Sequence, residues 1–137
     1  MTAAVLLWMG LLSGHDLMQR RLPNWLTLPG AAVILLVAVI AGRGVPALAG
    51  GSGLAAVYLL VHLASPSAMG AGDVKLALGL GALTGRFGVD VWVLAALGAP
   101  LLTAATGVVA LLRGVRTVPH GPAMCLASLA AVGLAAL

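Results

Sequence analysis

The chain has 137 residues, 62% hydrophobic and only 7% charged, with seven Lys and Arg against three acidic side chains, all of them Asp. A soluble domain carries roughly a quarter of its residues as charges, so the composition excludes that class and leaves an integral protein of the lipid bilayer. The net charge of +4 comes from basic residues scattered singly between apolar stretches. That is the pattern of loop charges that set topology, and no nucleic-acid partner is expected.

Breakers and charges divide the sequence into six apolar segments. The first runs from about Thr2 to Leu17. No Lys or Arg precedes it, so it reads as a retained first helix and not as a cleaved signal peptide. The polar turn "MQRRLPN" follows. The second segment, about Trp25 to Ala41, stops at "GRG", and the third runs from about Val45 to Leu63. After the loop "ASPSAMGAG" comes a short fourth segment, about Asp73 to Thr84. The fifth is about Val89 to Leu112, and "RGVRTVPHGP" separates it from the sixth, about Ala123 to Leu137. The segments are Leu/Ala-rich, apolar all round and without period-2 alternation, which excludes strands. The expectation is an all-α integral membrane protein, residues 1–137 forming one domain of six transmembrane helices. The fourth segment falls short of the roughly 17 residues that span a bilayer. It is expected to begin inside the bundle, with its N-terminus in a polar cavity.

Loop charge sets the orientation. With the N-terminus outside, the cytoplasmic loops hold Arg20, Arg21, Lys75, Arg113 and Arg116, and the outer loops hold Arg43 and Arg86, with Asp90 beside the latter. The positive-inside rule favours that N-out, C-out arrangement. Asp16 and Asp73 then both lie at the cytoplasmic ends of their helices. Two small-xxx-small spacings, "GLLSG" (10–14) and "GALTG" (81–85), suit close helix approach, but two matches carry little weight among 19 glycines. The single cysteine, Cys125, permits no internal disulfide and reads as a packing residue.

Carboxylates close to hydrocarbon are costly and call for a reason. Asp16 ends the first segment, and Asp73 opens the fourth behind Gly70 and Gly72. Two carboxylates in a poorly hydrated cleft share a proton, because desolvation and mutual repulsion oppose ionising both. One acts as general base on a water while the other, protonated, polarises a carbonyl. Gly70 and Gly72 leave the backbone free to take left-handed or extended turns and let a substrate strand approach.

Plainer readings stand beside these. Asp73 suits an N-cap, and Asp16 suits an interfacial pair with Arg20 one turn on. Lys75, two residues from Asp73, faces elsewhere on a helix and reads first as a topology anchor. His15 reads as an ordinary helix-end histidine, His62 as a packed or interfacial one, and Asp90 as a solvated loop charge. The His and Asp residues show no metal-ligand spacing, so neither a metal nor a cofactor is expected.

"GAGDVKLALGLGALTG" resembles the GxGD signature of the aspartic prepilin peptidases. "DLMQRRLPNWLT", from Asp16, resembles that family's first aspartate motif, with its basic turn and the Pro23–Asn24 pair. "VPHGPAM" resembles the family's Pro-Phe-Gly-Pro element, with His120 where an aromatic is usual. A lone GxGD is weak, whereas the three elements in order are specific.

The resemblance implies an aspartic endopeptidase of the bacterial cytoplasmic membrane. It would remove the basic leader of prepilin-like precursors at the cytoplasmic face, cutting after a glycine just before the precursor's N-terminal hydrophobic helix. Asp16 and Asp73 would be the catalytic pair. Gly70 and Gly72 would shape the second site, with Lys75, Pro23 and Asn24 beside it. Larger members carry a cysteine-paired N-terminal domain and methylate the new N-terminus. This chain starts at its first apolar segment, so peptidase activity without methyl transfer is expected, as in the short enzymes of tight-adherence pilus systems. Archaeal preflagellin peptidases share the aspartate pair, and homo-oligomerisation stays open. Two readings from other classes remain: a small proton-coupled transporter or channel subunit, and a non-catalytic membrane assembly subunit.

Overall fold

The computed structural model describes residues 2–19, 22–67 and 69–137. Among them are six α-helices and no strand: α1 (Thr2–Gln19), α2 (Asn24–Ile40), α3 (Gly44–Ala64), α4 (Ala71–Gly85), α5 (Val89–Leu112) and α6 (Gly121–Ala135). Every apolar segment becomes one helix. Two starts differ in a way that matters for the site. α4 begins at Ala71, which puts Asp73 in its first turn, and α6 begins at Gly121.

Local chemistry explains the boundaries. α2 starts after Pro23, whose φ of −70° and ψ of 136° are extended. The Pro23 carbonyl then accepts the Thr27 amide at 3.0 Å and the Thr27 hydroxyl at 3.1 Å, which locks the first turn of "LPNWLT". α2 and α5 both stop in Schellman turns. Gly42 (φ 74°) and Gly114 (φ 80°) supply the left-handed residue that glycine adopts without strain. The following amides return to Ala38 at 2.7 Å and Ala110 at 2.8 Å.

α4 is the core of the bundle. From Leu76 to Gly85 every residue but Leu78 is buried, and α2, α3, α5 and α6 all pack on it. At about 1.5 Å per residue its 15 residues reach only some 22 Å. The fourth segment is therefore short and interior, as its length implied. Its contact with α3 is made of backbone. A Cβ on Gly81 would sit 2.5 Å from the Gly50 carbonyl oxygen, and one on Gly85 would sit 2.7 Å from that of Pro46. "GALTG" is thus a genuine helix interface, whereas Gly10 and Gly14 of "GLLSG" have nothing within 4 Å of an added Cβ. On the other side, the Trp8 indole lies against Gly30 and Gly79 and donates to the Leu26 carbonyl at 2.7 Å. Cys125 is buried in α6, as a packing residue should be.

The outward faces are apolar. Leu60 of α3 and Leu101 of α5 are 67% and 69% exposed. Among the described residues, two helices, α3 and α5, are long and apolar enough to cross a membrane, and α2 and α6 are shorter apolar helices.

Candidate active site

A cleft of about 640 Å³ opens where the end of α1, the start of α2 and the start of α4 converge. α1 contributes Asp16 and Gln19, and the α2 entry contributes Pro23 and Asn24. The α4 entry contributes Gly70, Ala71, Gly72, Asp73 and Lys75. All seven residues singled out from the sequence line this one space. Asp16 and Asp73, 57 positions apart in the chain, interact electrostatically across it.

Each carboxylate meets the amide end of a helix. Asp73 is the third residue of α4. Its own amide donates to the Gly70 carbonyl at 3.1 Å, and its carboxylate accepts from the Gly70 backbone amide. The cap position itself belongs to Gly70, which corrects the reading of Asp73 as the N-cap. Asp16 is only 6% exposed. Its Oδ2 accepts a hydrogen bond from the Gly121 amide at 2.9 Å, at the start of α6. A buried carboxylate is tolerated where it is hydrogen-bonded, and helix N-termini favour anions. The sequence also suited an interfacial pair between Asp16 and Arg20. Arg20, the partner in that reading, lies outside the described residues, as does Arg21.

Gly70 is extended, at φ −77° and ψ 152°, and neither it nor Gly72 is among the glycines of positive φ. Gly72 is pressed against the α2 entry, where an added Cβ would lie 3.1 Å from Leu22 Cβ. Gly70 is exposed at the cleft, and its missing side chain leaves Asp73 uncovered. Lys75, expected to face away from Asp73, lines the same cleft, and its bond runs to the α2 entry. There Nζ donates to Asn24 Oδ1 at 2.6 Å and ties α4 to the start of α2. His15 turns from Asp16, donating to the Leu11 carbonyl at 2.8 Å and meeting Trp25 edge-on.

Several supporting groups were given no role in the site by the sequence. His62, in the last turn of α3, donates from Nδ1 to the Met69 carbonyl at 2.5 Å and so staples the loop that delivers Gly70. His120 precedes α6 and bridges Tyr58 of α3, at 3.0 Å, and Thr103 of α5, at 2.5 Å. The Thr103 hydroxyl spends its proton on the Ala99 carbonyl at 3.0 Å. It must therefore accept from His120 Nδ1–H, which leaves Nε2 to accept from the Tyr58 hydroxyl. Burial holds His120 below its ordinary pKa of 6.5, in agreement with this neutral tautomer.

Curated proteins and solved structures give no match to the chain. Residues 3–136 match the family described as the type IV leader peptidase family. A match over essentially the whole length makes the chain a member of the type IV leader peptidase family, whose members are membrane proteins that cleave prepilin-like substrates.

Proposed function

We propose that the chain is a two-aspartate endopeptidase of the bacterial cytoplasmic membrane that removes the leader of a prepilin-like precursor. The observation that carries this reading is the shared cleft. Asp16 and Asp73 come from distant parts of the sequence, line one cavity and interact electrostatically there. One carboxylate, ionised, takes a proton from water as the water adds to the scissile carbonyl. The other, protonated, donates to that carbonyl oxygen, and a proton then passes to the leaving amine as the C–N bond breaks. Neither a covalent nucleophile nor a metal enters these steps.

The outward-facing apolar surface supports a bundle that crosses the membrane six times. α1, α2 and α4 bring their cleft ends to one rim, and the charge count favours the cytoplasmic side for it. A precursor's hydrophobic helix lies in the bilayer with its basic leader in the cytoplasm, so the junction between them meets the cleft. The test is incubation of the purified protein in liposomes with a synthetic precursor of basic leader, glycine and hydrophobic helix. Mass spectrometry should find a single cut after the glycine. An intact precursor, or cuts scattered along the leader, would refute the proposal.

A further inference from the structure

The Asp16 carboxylate is held by a helix remote in sequence, and that helix is itself anchored. Gly121 donates its amide to Asp16 Oδ2 at 2.9 Å across 105 positions. A side chain at this position would displace the Asp16 carboxylate. A Cβ on Gly121 would lie 2.5 Å from Asp16 Oδ2 and 3.1 Å from its Cγ. The adjoining His120 is fixed from two sides, by Tyr58 of α3 and Thr103 of α5. Its ring also packs on Tyr58, with centroids 5.6 Å apart. Two helices, α3 and α5, therefore fix where the first amide of α6 points, and it points at Asp16.

We propose that Gly121 is a positioning residue for Asp16, and that the Tyr58–His120–Thr103 bridge holds the α6 turn in the register that presents its amide. This rests on Asp16 being one of the two carboxylates that do the chemistry. It assigns a role to "HGPAM" that the sequence left open. The His120 ring bonds two hydroxyls, which a phenyl ring cannot. Gly121 acts through Asp16 and not on the substrate. Its effect is on the aim of the carboxylate, and errors of about 1 Å in such aim can cost 10²-fold in rate. Among the described residues, Asp73 and Lys75 of α4 share its cleft and Cys125 of α6 lies near it, and Lys75 is engaged with Asn24.

The experiment uses the liposome assay with the synthetic precursor and reads kcat and KM separately. Gly121→Ala adds the clashing methyl. Glycolate at position 121, introduced by nonsense suppression, exchanges the N–H for an ester oxygen with no added bulk. Tyr58→Phe keeps the ring and removes the hydroxyl. Gly133→Ala, also in α6, has nothing within 4 Å and serves as control. The alanine and ester variants should lose about 10²-fold in kcat, with KM within twofold. Tyr58→Phe should lose several-fold, and Gly133→Ala nothing. Wild-type kcat in the ester variant, with Asp16→Asn inactive, overturns the positioning role and leaves the dyad standing. So does a loss of kcat in the ester variant that Gly133→Ala reproduces. Full cleavage by Asp16→Asn overturns the dyad itself, and the role of Gly121 with it.

Discussion

Replacing Gly81 by alanine should push α4 away from α3. The new methyl would lie 2.5 Å from the Gly50 carbonyl oxygen, 3.0 Å from the Gly50 carbonyl carbon and 2.9 Å from Leu54 Cβ. Two of the three neighbours are backbone in the facing helix and have no rotamer to give. Carbon contacts settle at about 3.5–4.0 Å, so the helices must part by about 1 Å. Overpacking of this kind costs about 1–3 kcal/mol, and alanine returns up to about 1 kcal/mol of helix propensity. Gly81→Ala should therefore lower stability by about 1–2 kcal/mol. Gly10→Ala has nothing within 4 Å and should raise it by a few tenths to 1 kcal/mol, roughly the propensity term alone. Reversible unfolding in mixed micelles with increasing SDS measures both. Because α4 carries Asp73, Gly81→Ala should also lower cleavage. Equal stabilities for the two variants would refute a backbone-to-backbone α3–α4 contact.

The bond between Lys75 and Asn24 should make Lys75→Ala and Asn24→Ala non-additive. In a double-mutant cycle on cleavage rate, the second substitution should cost much less than the first. His62→Ala removes the staple to Met69, so amide hydrogen exchange of Ser65–Gly70 should accelerate, while the interior of α4 is unchanged. His120 titrates with a known sign. Burial depresses its pKa in the folded protein below the 6.5 of the unfolded chain. Its stabilising effect is therefore complete above about pH 6.5 and is lost as pH falls below that value. The melting temperature of wild type should drop over that range more steeply than that of His120→Phe. Parallel curves would show that His120 is not held neutral.

The helices were legible because lipid-grade apolar runs, broken by Gly, Pro and charge, leave few alternatives, and the predicted segments fall within a few residues of the helices. Both aspartates were legible for the same reason: a carboxylate stands out where charge is avoided. What could not be read was orientation. The i, i+2 spacing turned Lys75 away from Asp73, yet a four-carbon stem near a helix end reaches a partner that spacing along one helix does not reveal. Gly70 and Gly72 were read for backbone freedom, whereas Gly72 serves close approach to Leu22, a contact between segments 50 positions apart. "GALTG" looked like chance because its partner, Gly50, lies on another helix. The bond from Gly121 to Asp16 joins the two ends of the chain, and no periodicity carries such information.

The most direct measurement is precursor cleavage by wild type, Asp16→Asn and Asp73→Asn, with each variant shown by its melting curve to be folded and inserted. Asparagine keeps the shape of the side chain and removes its capacity as a base. If the two carboxylates divide the chemistry between them, each substitution should abolish cleavage, and the double substitution should be no worse than either alone. Cleavage at the wild-type rate by either single variant would contradict the two-aspartate mechanism.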